Sequence, residues 1–192
     1  MSKTSTKVLI AIAAVVLVLV FWFVGTKNSL VSLKEDVSLQ QAQIETTLQR
    51  RCDLIPNLVA SVKGYASHEE KVFTEIADAR SKLAGSIESG DMDEINTASQ
   101  NLDSALSRLL AISESYPDLK ASDQFIALQD ELAGTENRIT VARQYYNESV
   151  RTYNAKVQRF PTSIIAGICG YSPLPYFEAS SDANEAPVVS FD

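Results

Sequence analysis

The sequence predicts an all-α protein: an N-terminal transmembrane helix, then a bundle of long antiparallel helices, then an extended, proline-containing C-terminal tail. Three observations carry this. Residues Val8–Val24, VLIAIAAVVLVLVFWFV, run for seventeen positions without a charge, a proline or a strongly polar side chain. Between residues 27 and 160 apolar residues recur in steps of three, four and seven, which is the helical period, and no stretch alternates as a strand would. Four of the six prolines follow Phe160, and there Pro173 and Pro175 preclude a helix and push the residues before them toward extended geometry. The corresponding segments are 1–25, a short leader and anchor; 26–160, the helical bundle; and 161–192, a tail packed on the bundle or on a neighbouring subunit.

As a helix, Val8–Val24 spans roughly 26 Å, enough for the hydrocarbon core of a bilayer. A cleaved signal peptide would need small residues before a cut near Gly25, where Phe21, Trp22 and Phe23 stand. The segment is therefore read as an uncleaved anchor, with the bilayer as the partner of residues 8–24. Lys3 and Lys7 before the span nearly balance Lys27 and Lys34 after it. The short leader without acid favours an inside N-terminus and a soluble domain on the outer side of the membrane.

From Lys27 to Ser89 the apolar positions describe one long helix, interrupted by Pro56, whose ring would clash with the carbonyl of Cys52. A kink or a restart is expected there, with Leu58, Val62 and Tyr65 facing the bundle. Ser89–Asp91 reads as a turn, and Asp91 with Glu94 as a capping box. A second helix carries Ile95, Ala98, Leu102, Leu106, Leu109 and Ile112 and stops before Pro117. Ser122 caps a third, in which Phe125, Leu132, Ile139, Tyr146, Tyr153 and Phe160 form an unbroken seven-residue series. This coiled-coil-like seam reads as bundle core. Helices of such unequal length cannot all cover one another, so Leu30, Leu33 and Val37 should lie exposed near the membrane and invite self-association. In the tail, Tyr176 and Phe177 are the expected anchors.

Chemistry is sparse. Setting aside Lys3 and Lys7, the rest of the chain carries 24 acidic against 15 basic groups, which argues against nucleic acid as a partner. Cys52 and the single histidine, His68, lie sixteen residues apart on what reads as helix, roughly 24 Å along its axis, too far for a nucleophile–base pair. One histidine and two unpaired cysteines offer no metal motif, and no glycine-rich phosphate loop is present. Adjacent carboxylates such as Glu69 and Glu70, or Asp91 and Asp93, read as surface charge. Cys52 and Cys169 suit either burial as free thiols or, in an oxidising compartment, a disulfide. No catalytic residue, metal or cofactor is expected, and the chain is read as not an enzyme.

The stretch RRCDLIPNLVASVKGYASHE (50–69), with IADAR (76–80), TENRITVARQYYNESVRTYNAKVQRFP (135–161) and the ending YFEA…APVVSF (176–191), resembles the signature of the LemA family. That resemblance implies a bacterial single-pass membrane protein, placed in the inner membrane, with an N-terminal span and long antiparallel helices. It brings no catalytic residues. It directs attention to Arg50, Arg51, Asp53, Pro56, Asn57, Lys63, Tyr65, His68 and Glu69, and to Arg138, Arg143, Tyr146 and Asn147 on the third helix. For the arginines the structural reading is pairing with a carboxylate on a facing helix. For Asn57 and Asn147 it is satisfaction of buried backbone groups. The functional expectation is a membrane-anchored, non-enzymatic scaffold that self-associates and presents an interaction surface to other envelope proteins. The alternative is a small-ligand sensor or accessory enzyme subunit with a site between helices.

Overall fold

The structure, a computed structural model, describes residues 3–177, with side chains from residue 6. The end of the tail, with Val188, Val189 and Phe191, lies outside the described residues. Every regular element among the described residues is a helix: α1 (Lys3–Lys63), α2 (Glu70–Ser89), α3 (Met92–Ser113), α4 (Pro117–Lys120), α5 (Asp123–Gln158) and α6 (Thr162–Ile168). The chain divides into two compact bodies, one made of Met1–Gln40 with Glu148–Leu174, the other of Gln41–Asn147 with Pro175–Asp192.

In the first body α1 begins with the apolar segment, the one described stretch long and apolar enough to cross a membrane. Beyond it, Leu30 and Val37 are buried and Leu33 is half-buried, with Val150, Tyr153 and Val157 of α5 and Ile165 and Ala166 of α6 completing the core. This corrects the expected overhang. Glu148–Leu174 covers the apolar positions that were to lie exposed, so they supply no motive for self-association. The tail also departs from a fully extended path. Residues 162–172 contain no proline, and α6 forms in that gap after the cis Phe160–Pro161 bond.

In the second body, Ile44, Leu48, Cys52, Ile55, Leu58 and Val62 form one buried stripe of α1. Of the kink or restart expected at Pro56, the restart is absent: the α-helix continues to Lys63. Proline costs a helix the hydrogen bond to the carbonyl four residues back, and here that orphan is satisfied from outside. Arg80 Nε of α2 donates to the Cys52 carbonyl at 2.7 Å, and the Pro56 ring itself faces solvent. The helix ends instead at Lys63, in turns where Val62 O accepts from both Tyr65 N and Ala66 N. Ala66 is buried there, whereas Tyr65, expected to face the core, is 48% exposed. His68 sits in this turn rather than on a helix, and the single long helix expected up to Ser89 is two.

This exchange of partners gives a test. Arg80→Ala should cost roughly 1–3 kcal/mol by stranding the Cys52 carbonyl. In a Pro56→Ala background the new backbone N–H can take that carbonyl, so the cost of Arg80→Ala should fall. A double-mutant cycle by urea denaturation in mild detergent measures it, and a coupling near zero would reject the account.

The α2–α3 turn is built as the sequence indicates, with one relay added. Gly90 takes φ 70°, the left-handed region that closes a helix C-terminus, and donates to Ser86 O and Ile87 O. Asp91 caps α3 by accepting from Asp93 N and Glu94 N. Glu94 does not reach back directly. The Asp91 N–H donates to Ser89 Oγ, whose one hydroxyl proton is shared between Ser86 O at 2.9 Å and Glu94 Oε2 at 3.1 Å.

Candidate functional site

The second body buries charge. Arg51, on the core side of α1, approaches Asp103 Oδ1 of α3 at 2.5 Å and Glu136 Oε2 of α5 at 3.2 Å. Its side chain is 6% exposed, against 31% for Asp103 and 41% for Glu136. Arg143, one helical repeat further along α5, donates from Nη2 to Ser99 Oγ at 3.0 Å, and its guanidinium lies 4.4 Å from the Phe177 ring centroid. Burial pulls the Arg143 guanidinium below its ordinary range, while Asp103 and Glu136 hold it up and Arg51 adds repulsion. The two arginines and two carboxylates therefore form one nearly neutral group drawn from three helices. The pairing is by proximity more than by directed hydrogen bonds: Arg51 Nε and Nη1, Asp103 Oδ1, Glu136 Oε2 and Arg143 Nε are buried without one. Beside the group runs a groove of about 460 Å³ whose walls include Arg51, Asp103, Leu106, Leu110, Leu132 and Glu136.

The tail is held by a device used twice. In the second body Asn147 binds both backbone groups of Phe177: Nδ2 donates to its carbonyl at 2.9 Å, and Oδ1 accepts its N–H at 2.8 Å. Tyr146 donates its hydroxyl to the Pro175 carbonyl at 3.1 Å. In the first body Asn154 does the same for Leu174, at 2.9 and 2.8 Å, and Tyr153 donates to the Ser172 carbonyl at 3.1 Å. A Tyr-Asn pair thus recurs after seven residues of α5; each pair takes tail positions two residues apart, and the two sets are offset by three. The sequence reading placed Tyr146 and Asn147 among the candidates but took Tyr153 as core alone and missed Asn154. The repeated YN dipeptide was the available signal.

Burial raises the Tyr146 hydroxyl from 10.0 to about 12, with Asp93 adding repulsion. Its neutral form is thus favoured in the fold, and the stabilisation is intact below pH 10 and lost as pH rises through 12. The unfolding free energy should drop by about 2 kcal/mol over that interval. Tyr146→Phe should flatten this drop in a denaturation series against pH, leaving the part due to Tyr153, whose hydroxyl burial also raises.

The other candidates divide by exposure. Arg50 pairs on the surface with Glu131, and Asp53 accepts from Gln49 Nε2 at 2.9 Å. Pro56, Asn57, Lys63, Tyr65, His68 and Arg138 are exposed and Glu69 is half-buried. Asn57 therefore does not satisfy a buried backbone group, whereas Asn147 does. Of the two expected tail anchors, Phe177 is buried and Tyr176 is exposed. Both cysteines are free thiols. Cys52 is buried, and loss of solvation raises its pKa, disfavouring the thiolate a nucleophile would need. No cluster of three or more metal-ligating side chains occurs among the described residues. Arg80, Asp103, Glu136 and Ser99 were not singled out from the sequence, although Arg80 closes the IADAR motif.

The LemA family model matches residues 40–191, most of the chain. The chain belongs to the LemA family. Among curated relatives, Magnetosome protein MamQ of Magnetospirillum gryphiswaldense is 27% identical over 85% of this chain and 68% of its own length. Magnetosome protein MamQ 2 of Paramagnetospirillum magneticum is 26% identical with the same coverage. Protein LemA of Metamycoplasma hominis is 28% identical over 83% of this chain and 72% of its own. The family match opens at Gln40, beyond the apolar segment, so it takes in the exposed and buried halves of the arginine-rich signature together with the Tyr-Asn clamps.

Proposed function

We propose that this LemA-family chain is a membrane-anchored, non-enzymatic helical scaffold of the bacterial inner membrane. It self-associates and offers the other side of its α1–α2 turn to envelope proteins, with the folded part on the outer side. The observation that carries this reading is the exposed half of the signature. Pro56, Asn57, Lys63, Tyr65 and His68 crowd one end of α1 and the following turn, all open to solvent. No hydrogen bond or ion pair engages the side chains of Asn57, Lys63 or His68 among the described residues. The buried half of the same signature is occupied in holding the fold. An aromatic residue flanked by polar groups on a firm helix end suits a binding surface. Relatives that carry a magnetosome name and one that carries the LemA name are similar to this chain across most of its length, which favours a common module over a common reaction.

A photo-crosslinking residue in place of Tyr65, in the full chain in native membranes, should yield protein adducts, and mass measurement in mild detergent should give a defined multiple of 21.0 kDa. Crosslinking to nothing but water, together with a monomer in both settings, would overturn the reading. The groove beside Arg51 favours a second one, a sensor that binds a small ligand between helices. A monomer whose groove takes up a ligand, with Tyr65 uninvolved, would select it.

A further inference from the structure

In the first body the packed chain reaches into the apolar segment itself. Phe21 and Trp22 are exposed, but Phe23 is half-buried and Thr26 is buried. Apart from α1, that body contains Glu148–Leu174 alone, so it is this segment that covers them. Arg159, the first residue after α5, shares a groove with Ser29 of α1, and Phe160 follows it directly. The corner between α5 and α6 therefore stands at the level where Val8–Val24 ends and the membrane surface must lie.

That corner presents an apolar face outward. Phe160 is 76% exposed, Ile164 54% and Ile168 71%, while Ile165 and Ala166 on the other side of α6 are buried. Basic groups flank it. Lys27 and Arg159 are exposed and Lys156 half-buried, and none of the three forms an ion pair among the described residues. Charge is divided sharply along the chain. With Lys3 and Lys7 on the far side of the span, the first body holds five basic residues against three acidic ones, Glu35, Asp36 and Glu148, a balance of +2 in a chain of −7. The second body carries 21 acidic against 10 basic residues, so the excess acidity of the chain lies there.

We propose that Phe160, Ile164 and Ile168 form a second membrane contact, seated in the headgroup–acyl boundary of an anionic leaflet, with Lys27, Lys156 and Arg159 meeting lipid phosphates. Apolar side chains backed by long cationic ones suit that boundary, where the stems lie along hydrocarbon and the charges stay in the headgroup layer. A second copy of the chain would satisfy the apolar residues equally well but not the cationic ones, since its matching face is basic too. The contact makes α6 a foot on the membrane, fixing the direction in which the first body leaves the bilayer.

The proposal rests on Val8–Val24 being the anchor, and the single tryptophan, Trp22, lets the two ideas be tested apart. The full chain is reconstituted in vesicles of phosphatidylcholine, with or without phosphatidylglycerol, containing lipids brominated at shallow acyl positions. Native Trp22 quenched by these lipids supports the anchor; its failure to be quenched would overturn the anchor and this proposal with it. In the variant Trp22→Phe with Phe160→Trp, the emission should be blue-shifted and largely lost to lipid bromine, more so in anionic vesicles. Replacing Lys27, Lys156 and Arg159 by glutamine should abolish that anionic preference. Emission quenched by aqueous acrylamide and not by lipid, with Trp22 still quenched in the native chain, overturns the contact alone. Emission shielded from both quenchers, with Ile164→Cys chains crosslinking to one another, assigns the face to a second copy and equally overturns it. Unchanged helical content by circular dichroism shows that each variant is folded.

Discussion

Arg51→Met should destabilise the protein by roughly 2–4 kcal/mol, although methionine keeps most of the aliphatic stem. The cost arises from what is left behind. Asp103 and Glu136 were drawn to a buried guanidinium, and without it two carboxylates face each other beside an apolar groove. Both retain partial access to water, which keeps the penalty below that of a fully buried orphan charge. Arg143 remains nearby but is directed toward Ser99 and Phe177, so it compensates in part. Adding Asp103→Leu should restore a portion of the loss, because removing both partners of a buried pair is far less costly than removing one. Arg51→Lys should behave like a milder form of Arg51→Met, since the ammonium keeps the charge but is more strongly hydrated and lacks the planar guanidinium fork. Urea denaturation in mild detergent, followed by circular dichroism, measures all three variants. If Arg51→Met is neutral, the charge group contributes nothing to the fold, and the arginine is held beside the groove for a ligand.

How far the sequence could be read depended on the range over which each feature is determined. The period of α5 is local, and Phe125, Ile139, Tyr146 and Tyr153 of its seven-residue series are buried as expected. At two of its positions the series weakens. Leu132 is half-buried beside the groove and Phe160 lies exposed after the helix ends. The Asp91 cap and the Gly90 turn were legible for the same reason. The restart expected at Pro56 does not occur, and the reason is remote in sequence: Arg80, twenty-four residues away, takes up the vacated carbonyl and makes it an attachment point between α1 and α2. The real break at Gly64–Glu69 carries no proline and no left-handed glycine. What accompanies it is the burial of Ala66 in the turn, which no local signal announces. The charge group was half visible. Arg51 and Arg143 stood in recognisable motifs, but Asp103 lies on α3, the helix whose sequence carries none, and an acid among many acids gives no local sign of its partner.

The tail clamp predicts a change large enough to separate the tail from the bundle. Asn147→Ala should cost roughly 2–3 kcal/mol, since both backbone groups of the buried Phe177 lose their partner together. The loss should be felt beyond the tail. Phe177 carries the ring that lies against Arg143, so its release lets water reach the buried guanidinium. Hydrogen exchange should therefore rise at Phe177 first, with α5 still protected, and limited proteolysis should cut near residue 177 while helical content is unchanged. Asn147→Leu, similar in volume, should fail in the same way, because the space was never the issue. Asn147→Asp is the sharper variant. A carboxylate can accept the Phe177 N–H but repels its carbonyl, whereas the protonated acid can donate to it. The folded-state pKa of that aspartate should therefore be raised above the ordinary value of about 3.9. Its stabilising contribution is then present below that value and lost as pH rises through the raised one. Tail protection in Asn147→Asp should recover on acidification, while that in Asn147→Ala should not. Equal exchange at Phe177 in both variants across the acid range would show that the asparagine is not what holds the tail.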